Sequence, residues 1–303
     1  MNTHQKPEHG SLEWLTLRHK TEEGKTRFGA SEAPTLMGVS PFKSLADLAI
    51  EKWGAPEVRE MTPAMARGHI LEPALVAYAE TLLGEKVIVP DMMFSNGRLI
   101  ATLDGETMPT IVEAKTTLWH SADDALPAEW YWQGIAQMAC VPEAEEVMFV
   151  VLDKRMNLGH WILKRDENAI ADLIIRAEEI GEMLDNGVMP PDAELKESHV
   201  KLLYPDPDGT VEIGAHGLDT LNRYSAWKSQ REIAEKHEQE AKDELAALLG
   251  NAAIGTIDGQ VVVTYKSRST GSRLDTKRLE QEHPELVAQY KKAAGSTRVL
   301  KVG

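Results

Sequence analysis

Cysteine is nearly missing from this 303-residue chain, in which Cys140 stands alone. One thiol cannot build a disulfide framework or a cysteine-rich zinc site, and it fits a reducing compartment. Long apolar runs are missing too, with nothing near the roughly 18 consecutive residues that a membrane span needs. The opening MNTHQKPEHG has no apolar segment of the secretory kind, so the expected location is the cytoplasm. Positive charge is scarce: 33 Lys+Arg stand against 48 Asp+Glu, a net charge of −15. A protein that passively coats nucleic acid would normally be basic. No Ser-His-Asp arrangement, P-loop or dinucleotide fingerprint is visible. His69, His120 and His160 show no zinc-ligand spacing and read as structural or exposed. Cys140 reads as a small buried hydrophobe, and most of the seven tryptophans as core.

At roughly 150 residues per domain, the length allows one substantial core and a smaller module. Residues 1–191 alternate helical and strand patterns with short Gly/Pro/Asn punctuation. Helices are expected over 14–20, 31–38 (capped by Ser31 and ended by Gly38), 63–83, 129–140 and 167–185. Strands are expected over 86–89, 98–104, 110–117, 147–152 and 160–164. This order predicts an α/β domain on a small mixed sheet. Pro190, Pro191, Pro205 and Pro207 mark a linker over 192–217. The rest, 218–303, reads as a long charged helix over 218–249, a strand over 260–265, a helix over 276–292 and a final short strand. Residues 260–303 hold nine Lys/Arg against four Asp/Glu, so the tail is +5 and everything before it −20. The charge is segregated.

The most informative stretch is Leu103-Asp104-Gly105 followed by Val112-Glu113-Ala114-Lys115. If the strands around 98–104 and 110–117 pair as a hairpin about the turn 105–109, Asp104 can face Glu113. Strand alternation then puts Glu113 and Lys115 on one face. Two carboxylates and an ammonium at a sheet edge suit a hard divalent cation with oxygen ligands and retained waters. The alternative is a solvated hairpin with an incidental ion pair. Glu72 shares a helix face with Leu75, Val76 and Ala79; it is either paired or metal-bound there, or a boundary glutamate whose head reaches water. Gln133 and Gln137 lie four apart on one helix face, where they could hold a water or a phosphate or simply be exposed.

Together these residues resemble the lambda-exonuclease/YqaJ-like viral recombinase family of the PD-(D/E)xK nuclease superfamily. The features run in order: Trp14-x-x-x-Arg18; Gly29-Ala30-Ser31-Glu32 leading to Gly38-Val39-Ser40-Pro41-Phe42; Arg67-Gly68-x-x-x-Glu72; Leu103-Asp104-Gly105; Glu113-Ala114-Lys115; and Tyr131-Trp132-Gln133-x-x-x-Gln137. Asp153-Lys154-Arg155-Met156 and Arg165-Asp166-Glu167 follow. The resemblance implies a restriction-endonuclease-like core with a central mixed sheet flanked by helices, plus a C-terminal helical or α+β extension. It assigns Asp104, Glu113, the Ala114 carbonyl and Glu72 to metal, Lys115 to catalysis, and Gln133 to the reacting phosphate, with Gln137 as a further member. Arg18 and Ser31 match positions that hold a DNA 5′-phosphate; Ser31 also reads as a plain helix cap. Leu103 replaces the proline of the motif's name, and 21–26 looks like a small insertion after Arg18. The implied activity is Mg2+-dependent 5′-to-3′ digestion of linear double-stranded DNA, with two ions per site and Mn2+ able to substitute. The implied partners are DNA ends, two further copies in a ring-shaped homotrimer, and a single-strand-annealing recombinase. Alternatives are a nuclease of other polarity, an endonuclease, or an inactive DNA-binding or assembly module. A Cas4-like iron–sulfur enzyme is excluded, since one cysteine cannot supply four ligands.

Overall fold

A computed structural model describes residues 2–58, 60–206, 208–267, 274–291 and 299–302. The chain divides into two compact units, Met1–Leu203 and Tyr204–Gly303. The first contains β1 (Asn2–Gln5), α1 (Leu12–His19), β2 (Phe28–Gly29), a 3-10 turn (Ala30–Glu32), α2 (Ala33–Leu36), α3 (Leu45–Trp53), α4 (Pro63–Leu83), β3 (Met92–Asn96), β4 (Leu99–Ala101), β5 (Gly105–Thr107), β6 (Thr110–Thr116), α5 (Ala128–Cys140), β7 (Glu146–Leu152), β8 (Leu158–Lys164), α6 (Glu167–Asp185) and α7 (Glu197–Leu203). The second contains α8 (Gly214–Leu249), β9 (Ile254–Ile257), β10 (Gln260–Thr264), α9 (Thr276–Glu282) and α10 (Pro284–Tyr290). The fold class is the expected one, mixed α/β with a helical C-terminal region. Among the described residues no helix is long and apolar enough to cross a membrane.

Unit one holds two four-stranded mixed sheets, ordered β1-β3-β4-β2 and β5-β6-β7-β8. The second positions the site. β6 and β7 pair in parallel along their whole length, while β5 and β8 are antiparallel to them. β7 is buried over Val147–Val151 because helices cover both of its faces. Ile111, Val147, Phe149 and Val151 pack with Ile135, Ala136 and Met138 of α5. On the opposite face Val112, Met148 and Val150 pack with Leu75, Val76 and Ala79 of α4. Alternation along β6 therefore sends Glu113 toward α5 and Ala114 toward α4.

Capping side chains start α1, α4 and α6. Ser11 accepts the Trp14 N–H, Thr62 that of Met65 ahead of Pro63, and Asp166 those of Asn168 and Ala169. Gly84 closes α4 in the left-handed region, φ 73°.

Several expectations are corrected. The helix over 31–38 is a 3-10 turn followed by the four-residue α2, and Ser31 does not cap it; Gly29 precedes the turn and its N–H is taken by the Glu32 carboxylate at 2.7 Å. The strand over 86–89 reduces to a single bridge, Ile88 to Glu106. The strand over 98–104 shortens to β4, Leu99–Ala101, because the chain leaves that sheet at Thr102–Asp104 to enter the second sheet as β5. The hairpin turn is narrower than 105–109, since 105–107 form β5 and only Met108 and Pro109 turn. The stretch read as linker holds α7, anchored to α3 through His199 Nε2 and Asp47 Oδ1 at 2.8 Å. The helix over 276–292 breaks at His283 before Pro284. Pro207 and Lys292 lie outside the described residues, as do 293–298 and 303 of the stretch expected to end in a short strand, and 299–302 form no strand.

Candidate active site

The ladder between β5 and β6 pairs Gly105 with Val112, and continuing that register sets Asp104 against Glu113, as the hairpin reading expects. β5 begins only at Gly105, so among the described residues no strand flanks the end of β6 on that edge. The Asp104 carboxylate replaces one, its Oδ2 accepting the Ala114 N–H at 2.9 Å. Gly105 is required here, since a Cβ would stand 2.3 Å from Val87 Cγ1.

On the α5 side, Glu113 is only 5% exposed. Its Oε1 accepts from Lys115 Nζ at 2.7 Å and from Gln133 Nε2 at 2.5 Å, and its Oε2 accepts from Gln137 Nε2 at 2.5 Å. Lys115 also donates to Gln133 Oε1 at 2.8 Å, closing a three-membered ring of bonds. Gln137 is fully buried, and its Oε1 has no partner among the described residues. The amide spacing of one helical turn is what lets both glutamines reach one carboxylate.

Glu72 approaches from the α4 side, where it lines a cavity of about 440 Å³ with His9, Gly10, His69, Ala114 and Thr116. Burial pushes the Asp104 pKa well above the usual carboxylate range, and the negative charges of Glu113 and then Glu72 add to the shift. This is an all-oxygen donor set carrying excess negative charge, which fits a hard divalent cation. Among the described residues no three His, Cys, Asp or Glu side chains form a ready-made cage. A cation here would depend on two or three carboxylates, backbone oxygen and water, the sparse ligation Mg2+ tolerates.

A second cavity, about 290 Å³, is lined by Trp14, Arg18, Ser31, Thr35, Lys43 and Lys52 among others. Arg18 Nη2 donates to Ser31 Oγ at 2.8 Å, so these two expected site residues do come together. Gly29 makes room for the guanidinium: a Cβ there would lie 2.1 Å from Arg18 Nη2. Ser31's supposed helix N-terminus is absent, so its link to Arg18 rests on the hydroxyl alone. Beneath the cavity, buried Lys52 reaches Glu32 Oε2 at 2.8 Å and the Arg18 carbonyl at 3.1 Å. Burial raises the Glu32 pKa, but Lys52 and Arg18 outweigh it and the net shift is downward. Sequence reasoning missed Lys52 and Lys43 along with α3. The Ser44-x-x-Asp47 capping box was the signal, and it would have put Lys52 on the face of Leu48 and Ala49.

Fold and cluster together define a mixed α/β unit with an acid–lysine–amide site at the open end of a central strand. Residues 13–144, all within the first unit, match the family model of the YqaJ-like viral recombinase domain. No curated protein matches the chain. Among solved structures it is similar to the alkaline exonuclease LHK-Exo of Laribacter hongkongensis, at 21% identity over 58% of this chain and 94% of that one, TM-score 0.49. LHK-Exo in complex with dAMP gives 24% identity at the same coverages and TM-score. A phage-related exonuclease from Haemophilus somnus 129PT is 10% identical over 54% of this chain and 95% of that one, TM-score 0.45.

Proposed function

We propose that this chain hydrolyses linear double-stranded DNA from 5′-phosphorylated ends, in the 5′-to-3′ direction and with Mg2+, leaving 3′ single strands for phage-type homologous recombination. The observation that carries the reading is the presence in one unit of the Glu113–Lys115–Gln133 ring and, apart from it, a cavity where Arg18 and Ser31 are joined. Asp104, Glu113, the Ala114 carbonyl and Glu72 would hold the metal. When bound, it supplies a hydroxide nucleophile at neutral pH and neutralises charge on the phosphate. Lys115, already shared by Glu113 and Gln133, is placed to turn its ammonium to a phosphoryl oxygen as negative charge builds there. Gln133 holds Lys115 and Glu113 in register, and Gln137 fixes the second Glu113 oxygen. Arg18 offers phosphate oxygens a planar guanidinium, and Ser31 a hydroxyl. A strand gripped by its 5′-phosphate presents its first linkages to the acids, which gives the direction.

The resemblance extends this reading to a homotrimeric ring around DNA, a single-strand-annealing partner and the cytoplasm of a bacterial host. It also makes 1–191 the nuclease domain and 218–303 an appended module. The test uses a 5′-phosphorylated linear duplex and a covalently closed circle. Wild type is expected to degrade only the linear form. Lys115→Ala and Asp104→Asn are expected to be slower by about 100-fold or more, the scale of losing one charge-stabilising group. Near-wild-type activity in either variant removes the site assignment, and cutting of the circle makes the enzyme an endonuclease.

A further inference from the structure

The two cavities are separated by one ring pair. Trp14 lines the Arg18/Ser31 cavity and His9 lines the Glu72/Ala114 cavity, and their rings meet at 4.5 Å between centroids. Arg18 lies over the Trp14 ring at 4.4 Å, and His9 stands 5.1 Å from the His69 ring, whose Nδ1 is 3.8 Å from Glu72 Oε2. A continuous line, Arg18–Trp14–His9–His69–Glu72, thus runs from one cavity to the other.

The segment that presents His9 is tied down on both sides. β1 pairs with β3, the Lys6 N–H donates to the Asp91 carbonyl at 2.8 Å, and the Ser11 N–H donates to the Glu8 carbonyl at 3.0 Å before Ser11 caps α1. Gly10 turns the chain at φ 78°. His9 is exposed, and among the described residues its ring has no hydrogen-bond partner. Burial, then His69, Arg18 and Lys6, lower its pKa, so the ring sits among cationic or polarisable groups in a site otherwise rich in carboxylates. A neutral imidazole still carries one N–H donor. His9 also precedes the segment 13–144 that matches the family model.

We propose that His9 is a phosphodiester-binding residue, donating its free ring N–H to the backbone of the DNA strand as that strand passes from the Arg18/Ser31 cavity to the Glu72/Ala114 cavity. This rests on the nuclease reading above. It makes His9 a substrate-contacting residue whose loss weakens binding and raises KM more than it lowers kcat.

The test measures binding of the full chain, in Mg2+, to a 5′-phosphorylated duplex whose terminal linkages are hydrolysis-resistant phosphorothioates, together with kcat and KM on the ordinary duplex. A hydrogen bond to a charged partner predicts about tenfold weaker binding or more for His9→Ala. His9→Gln, which keeps an N–H donor, is expected to remain within about threefold of wild type. His9→Phe, which keeps a ring against Trp14 but no donor, is expected to behave like His9→Ala. Equal binding by all three variants overturns the proposal. So does rescue by His9→Phe but not His9→Gln, which would make the ring contact with Trp14 the whole role. A wild type that binds no DNA end overturns the nuclease reading and this inference with it; that result is distinct, because it shows before any variant is compared.

Discussion

Single residues in this protein divide into those held by charge and those held by exclusion of water. Glu113 belongs to the first group, with three donors on two oxygens. Its near neighbours Asp104 and Lys115 were legible because Leu-Asp-Gly and Glu-Ala-Lys need only a hairpin register to meet. Arg18 and Ser31 were legible only through motif order, since twelve residues, β2 among them, lie between them. Cys140 belongs to the second group: it is 0% exposed, and burial raises its thiol pKa to about 12. Folding therefore favours the neutral thiol, and the stability tied to it is present below the ordinary thiol value and is lost as pH rises from about 9 toward 12. A thiol reagent at pH 8 is expected to leave the native chain unlabelled and to label one thiol once denatured. Rapid stoichiometric labelling of the native chain would contradict the burial.

At the scale of elements, α5 brings both glutamines to the end of β6, and Gly134 sets how closely it lies. A Cβ at Gly134 would stand 2.8 Å from Leu163 Cδ2 and 3.0 Å from Phe149 Cζ. Gly134→Ala gains about 1 kcal/mol of helix propensity, but overpacking of this kind costs about 1–3 kcal/mol. The expected result is a lower Tm with reduced nuclease activity, because α5 lifts and Gln133 and Gln137 draw away from Glu113. A higher Tm with full activity would contradict this account. α4 and α6, with periodicity and capping side chains, were legible in the sequence, as were α5, by apolar periodicity alone, and the apolar β7. β1 was not, since Asn-Thr-His-Gln is a polar edge strand defined by its partner β3 rather than by its own pattern. Nor was β2, two residues long. The crossing at Thr102–Asp104 was hidden because the apolar pattern of β4 continues to the buried Leu103, which lies in the crossing rather than in a strand.

For the whole molecule, net charge and the proposed DNA substrate point in opposite directions. The −15 of the chain argues against a passive nucleic-acid coat, yet part of that charge is the carboxylate set that bound metal would neutralise. The second unit carries the basic tail, and its 36-residue α8 has no buried residue among those described. A helix polar over most of its surface is read from composition without revealing what it touches. In the proposed reading a 5′-phosphate grip feeds the nuclease and sets its direction. It is tested most directly with linear duplexes labelled at one 5′ or one 3′ end, with and without the 5′-phosphate, in Mg2+. The 5′ label is predicted to leave first as mononucleotide, with initial rates falling about tenfold or more when the phosphate is removed or Arg18→Ala is used, the scale of a charge-assisted bond. Earlier release of the 3′ label, or equal rates with and without the phosphate, would contradict it.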